Sequence, residues 1–233
     1  QTFICEGQFK DGLVRLLRSY LDNIGRPEQP AAWISGFFGS GKSHLVKMLR
    51  YLWVDYEFPD GATARSLPNL PSEVSELLTE LSTHGRRENG LHSASGTLGS
   101  KARGSVRLAL LGIVYRSLDL PEQYPLAEFV MWTRSEGIYD ALRQRVEEES
   151  VKGWDFEIHN LTKSTPIAEG LLDLKPSLGT HPSDVHKLLK NDHPNISDVS
   201  IEDMVRSIRT GLTQEYGGIP CTLIALDEIQ QFI

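Results

Sequence analysis

Residues 36–43 read GFFGSGKS, and the reading of the whole chain turns on them. Gly36, Gly41, Lys42 and Ser43 match the pattern G-x-x-x-x-G-K-[ST] of a phosphate-binding loop, and Gly39 adds a further glycine inside it. Each position has a chemical reason. Glycines let the backbone curl until successive N–H groups point inward at phosphate oxygens. A helix that begins near Gly41 adds its positive N-terminal end. Lys42 brings a mobile ammonium to the β- and γ-phosphates, and Ser43 offers a hydroxyl to Mg²⁺. The expected nucleotide contacts are therefore Gly36, Phe37, Phe38, Gly39, Ser40, Gly41, Lys42, Ser43 and His44, with Lys42 also catalytic. His44 is the weakest of these, since a residue on the first helical turn more often just faces water.

The flanks agree with the motif. Residues 31–35, AAWIS, are short and apolar and fit a buried strand. Residues 44–54, HLVKMLRYLWV, have helical spacing, so the order is strand, glycine-rich loop, helix. Upstream, Phe9, Leu13, Leu16, Leu17, Tyr20 and Leu21 predict a helix over 8–24 that stops at Gly25 and Pro27.

A second signal stands at the far end. Residues 221–226, CTLIAL, are an apolar run of strand length, and Asp227 and Glu228 follow at once. A strand end puts a carboxylate at the carboxyl edge of a parallel sheet, where ligands bind in this architecture. Asp227 is the expected Mg²⁺ ligand, through water, and Glu228 the expected general base for an attacking water. Taken alone, the pair could simply cap a strand in solvent. The phosphate loop in the same chain favours the chemical reading.

Between the two signals the pattern is mostly helical. Residues 57–71 read as a loop, 72–83 as a short helix and 106–118 as another. Residues 84–105 are rich in Gly and Ser; there is room in them for a short strand, but the pattern does not place it. Arg86, Arg87, Lys101 and Arg103 read there as a basic solvated loop. From 122 to 216 short helices are broken at Gly137, Gly153, Pro166, Pro176, Pro182 and Pro194. His181 and His186 lack the i, i+4 spacing of a helical metal pair. Lys42 and Asp227 stand roughly three times farther apart than strand and helix lengths plus short loops account for. The excess predicts a helical insertion.

The fold class expected is thus α/β: a P-loop NTPase, AAA+-like three-layer core, incomplete at the C-terminus, with a large helical insertion. The division expected is 1–120 for the first helix and the first part of the core, 121–216 for the insertion, and 217–233 for the returning strand.

Composition sets the outer bounds. The chain has 233 residues with 39% hydrophobic and 24% charged, an ordinary globular balance rather than a disordered one. Lys and Arg number 24 against 31 Asp and Glu, and the net charge of −7 speaks against a dedicated nucleic-acid-binding domain. No apolar run reaches membrane-spanning length, and two cysteines are too few for a disulfide framework. Those features predict a cytoplasmic protein without a membrane partner. A first residue that is Gln, and a last one just beyond a strand, read as a piece of a larger polypeptide.

The adjacent Asp-Glu order narrows the class. The chain lacks the N-K-x-D motif of GTPases and the L-S-G-G-Q signature of transporter ATPases, which leaves a hydrolysing ATPase of the AAA+ or a related class. The run WISGFFGSGKSHLVKMLRYLW (Trp33–Trp53), with ALDEIQQFI (Ala225–Ile233), resembles the large P-loop ATPases of bacterial BREX and phage-growth-limitation defence systems, the BrxC/PglY type. The shared features are the double Phe in the loop, Ser-His after Lys42, and Gln231 and Phe232 after the carboxylates. SKARGSVRLALLGIVYRSL and WTRSEGIYDALRQRVEE resemble it more loosely.

The resemblance implies the N-terminal ATPase region of a subunit in an anti-phage complex. ATP and Mg²⁺ would be its cofactors. Its partners would be other defence-system proteins and further copies of itself through the ATPase core, with DNA contacted indirectly. Sensor and arginine-finger residues would lie beyond Ile233, so a weak turnover of this chain alone is expected. Two other readings share the motifs: a nucleotide-gated scaffold without significant turnover, and an origin-recognition-like DNA loader. The presence of Glu228 tilts the first comparison toward hydrolysis, and nothing in the chain shows the basic DNA-binding domain that would support the loader.

Overall fold

The computed structural model describes residues 5–26, 28–37, 39–98 and 104–227. The chain divides into two units, one formed by residues 1–99 with 216–233 and the other by 100–215.

The first unit holds α1 (Gly7–Leu21), α2 (Lys42–Val54), α3 (Ser72–Arg87), β1 (Leu91–Thr97) and β2 (Cys221–Asp227). Its core follows from periodicity. Leu13 and Leu17 of α1, Leu45, Leu49, Leu52 and Trp53 of α2, and Val74, Leu78 and Leu81 of α3 are all buried. Each such leucine removed from water contributes roughly 1.5–3 kcal/mol. Cys5 and Cys221 are buried in the same cluster, and both thiols are free. Burial pushes both thiol pKa values up.

β1 and β2 pair in parallel, with Leu91 opposite Cys221 and Thr97 opposite Asp227. Parallel strands need a long crossover, and here the entire second unit lies between them in sequence. Leu91, Cys221 and Leu223 join the helical core, so alternation puts Ser95, Thr97, Ala225 and Asp227 on that same face.

The tail of α2 is tied down. Trp53 Nε1 donates to Cys221 O at 3.0 Å. Arg65 donates to Leu52 O (2.7 Å), Trp53 O (2.9 Å), Leu78 O (2.8 Å) and Ser82 Oγ (2.6 Å). Carbonyls that α2's last turn leaves without a helical partner are thereby satisfied.

Residues 31–35 correct the expected strand. They form exposed coil, with Trp33 at 64% and Ile34 at 38% exposure. Pro30 has no N–H to donate and the two alanines favour strands poorly, so this short run has little to hold it in a ladder. Conversely, β1 lies inside the stretch where the pattern placed none, and α3 runs on to Arg87. Arg86 and Arg87 therefore belong to α3's last turn, where cations suit the helix dipole, rather than to a basic loop. Lys101 and Arg103 lie outside the described residues.

The second unit is helical: α4 (Val106–Arg116), α5 (Tyr124–Ser135), α6 (Tyr139–Glu149), α7 (Gly153–His159), α8 (Thr165–Leu174), α9 (Pro182–Asp192) and α10 (Ile201–Tyr216). Within this unit α4 packs on α5. Pro125, Pro166 and Pro182 open α5, α8 and α9, where the missing N–H costs nothing. Ser105 and Ser164 cap α4 and α8, accepting from Leu108 N (3.1 Å) and Ile167 N (3.2 Å). Leu111, Phe129, Leu142, Val146, Ile167, Leu171, Val185 and Leu189 form its buried interior.

Two buried polar clusters of this unit are closed by hydrogen bonds. Glu157 accepts from Ser150 Oγ (2.6 Å) and Ser164 Oγ (2.7 Å). Ser207 bonds the Tyr115 hydroxyl (2.6 Å) and donates to Glu128. No helix among the described residues is long and apolar enough to cross a membrane.

Candidate phosphate-binding site

The loop before α2 has the backbone its glycines predict. Gly39 and Gly41 sit at φ 80° and 86°, the left-handed region that side chains disfavour. Gly41 is the N-cap of α2, and no side chain caps that helix. A glycine N-cap offers no side chain to the helix head, whose N–H groups point where an anion can be met. At Gly36 the constraint is space, since a methyl there would lie 2.9 Å from Ser40 Oγ.

Lys42 reaches back across the loop. Its ammonium donates to Gly36 O and Phe37 O, each at 2.7 Å, and to Ser40 Oγ at 3.4 Å. The cation thus spans the turn whose N–H groups would face phosphate. Ser43 and His44 follow on the exposed first turn of α2. Phe37 is 90% exposed. Phe38 lies outside the described residues.

The direction of α2 brings the two sequence signals together. Trp53, at its tail, bonds the first residue of β2, and Arg50 Nη1 donates to Ser95 Oγ in the second half of β1 (3.2 Å). The helix therefore runs antiparallel to both strands. From Trp53 back to Lys42 is about 16 Å at helical rise, and from Cys221 forward to Asp227 is about 20 Å at strand rise. The head of α2 and the carboxyl ends of β1 and β2 consequently share one end of the unit. Half-buried Asp227 lies there, on the sheet face that α2 covers. Glu228 lies outside the described residues, as do Gln231 and Phe232.

The donor set fits a magnesium nucleotide. It offers helix-terminal N–H groups and an ammonium for phosphate, and a hydroxyl and a carboxylate for a hard cation that keeps most of its own waters. Among the described residues no three His, Cys, Asp or Glu side chains cluster as a metal group. His181 instead caps α9 reciprocally with Asp184, and His186 Nε2 donates to Ser164 O at 3.1 Å. A groove of about 520 Å³ along α10, lined by Glu202, Val205, Arg206 and Arg209, belongs to the helical unit and includes no loop residue.

Two residues of this end went unread in the sequence. Thr97 stands opposite Asp227 in register, hidden because Ser and Gly in β1 obscure the strand. Phe9 of α1 lies against the loop itself: a methyl built on Gly41 would sit 3.3 Å from its Cζ. Its helical spacing marks it only as a core residue.

No family model matches this chain, and no solved structure matches it.

Proposed function

We propose that the chain is the nucleotide-binding part of an ATP-hydrolysing motor or switch. The observation that carries this reading is the shared end of the unit for Lys42 and Asp227, two residues that sequence keeps far apart. In this reading the α2 N–H groups and Lys42 bind the triphosphate, while Ser43 and Asp227 orient the divalent ion. Mg²⁺, when bound, neutralises charge on the β- and γ-phosphate oxygens. Glu228, directly after Asp227 in the chain, takes the proton from the attacking water. The resemblance of Trp33–Trp53 and Ala225–Ile233 to the BREX and phage-growth-limitation ATPases supports an assembly in anti-phage defence, with DNA met through partners.

Calorimetry with Mg-ATP on the wild type and Lys42→Ala tests the site. Saturable binding that the substitution weakens by at least about a hundredfold supports it. A folded wild type that ignores Mg-ATP removes it. Steady-state hydrolysis by the wild type and Glu228→Gln, with partners and DNA supplied, tests the chemistry. Turnover lost while ATP still binds supports Glu228 as base. Binding without turnover in both proteins leaves a nucleotide-gated scaffold.

A further inference from the structure

Phe9 belongs to a stripe with Leu13 and Leu17, the buried face of α1. The rings of Tyr20 and Trp53 meet edge to face with centroids 4.7 Å apart. Phe9 meets Gly41 at the other end. Twelve residues of α1, from Phe9 to Tyr20, thus lie alongside twelve of α2, from Lys42 to Trp53, and the two helices run the same way with their heads at one end. α3 fixes α1 from the outside, because Glu73 accepts from Lys10 Nζ (3.2 Å) and Arg18 Nη2 (2.6 Å).

Gly41 is where the loop turns into α2, in a left-handed conformation that a free glycine leaves readily. Only a neighbour that fills the space behind it keeps the first N–H groups of α2 aimed in one direction. The Phe9 ring is in that space. It is also part of a core that includes Leu45 and Leu49 of α2, so it cannot retreat without opening that packing.

We infer that Phe9 is a positioning residue for the phosphate loop, acting through Gly41. This rests on the proposed phosphate-binding role of the loop. The ring's contribution is to phosphate affinity, whatever base the nucleotide carries, because its contact is with the loop backbone.

The test is calorimetric binding of Mg-ATP and of inorganic tripolyphosphate with Mg²⁺ to wild type, Phe9→Ala and Phe9→Leu, below each protein's melting transition. The expectation is a loss of about tenfold or more in Phe9→Ala, equal for both ligands. Phe9→Leu, which refills most of the space, should lie within about threefold of wild type. A loss for Mg-ATP with unchanged tripolyphosphate binding would overturn the inference in favour of a base-stacking role. A folded Phe9→Ala with a lower melting temperature but wild-type affinities would reduce Phe9 to ordinary core. If the wild type binds neither ligand, the phosphate-site reading itself fails, independently of Phe9.

Discussion

The two units handle polar atoms in opposite ways. In the helical unit two polar clusters are turned inward and closed on one another. Glu157 lies between two serine hydroxyls, and Ser207 joins the Tyr115 hydroxyl to Glu128. In the strand-bearing unit the interior is nearly all apolar, and the chemistry collects at one end. Lys42, Ser43 and Asp227 stand there half-buried or exposed. A buried polar group that is fully paired specifies packing. One at the carboxyl end of a sheet beside a helix head stands where ligands bind in such architectures. The lesson is that the same residue types support architecture in one unit and, in the proposed reading, binding in the other, according to where the backbone leaves them.

Substitutions sharpen that contrast in descending order of effect. Phe129 is fully buried in the helical unit, and Phe129→Ala should cost about 3–5 kcal/mol in denaturant unfolding. Its Mg-ATP affinity, measured while still folded, should match wild type. A serine in each unit gives the direct comparison. Ser164 both caps α8 and donates to Glu157, so Ser164→Ala should destabilise by roughly 1–3 kcal/mol and leave nucleotide affinity alone. Ser43→Ala should do the reverse, leaving stability within about 0.5 kcal/mol while weakening Mg-dependent ATP binding. Equal behaviour of the two serines would break the comparison.

Acid should strain both units. Burial pushes the His92 pKa down to about 4, and burial also lowers that of His193, which sits edge-on to Phe129. A folded pKa below the unfolded one means that the contribution is complete above about pH 6.5 and fades as the pH falls toward 4. Unfolding midpoints taken at pH 7, 5.5 and 4.5 should fall accordingly, and His92→Phe should flatten the slope. An unchanged slope in that variant would exclude His92 as a source. The smallest effect belongs to the surface. Arg116 pairs with Glu122 at 2.8 Å with both side chains well exposed, and Arg116→Ala should cost under about 1 kcal/mol, less in high salt.

Much of the loop-bearing unit was legible because its signals are local. Of the glycines that predict a phosphate loop, Gly39 and Gly41 have positive φ, and CTLIAL is the strand its apolar run predicts. β1 was not legible, since LHSASGT has little strand propensity. Its position rests on His92 and Ala94 being buried and on pairing with β2, both tertiary facts. AAWIS failed the opposite way, apolar enough for a strand but without a ladder to join. Of the prolines read as breaks, Pro166 and Pro182 open helices. Of the site, the glycines, Lys42 and Asp227 could be read from motifs, while Phe9 and Thr97 enter only through the packing of α1 and the register of the sheet.

The burial of Cys5 and Cys221 has a practical consequence. Both thiols are in the strand-bearing core and the helical unit contains none. A thiol reagent can reach them only when that core opens, and their raised pKa values slow the reaction further. The rate of alkylation is therefore an intrinsic clock for one unit alone. It ticks with the opening of the core around α2 and is blind to the helical unit, so Phe129→Ala should leave it unchanged unless the two units unfold together.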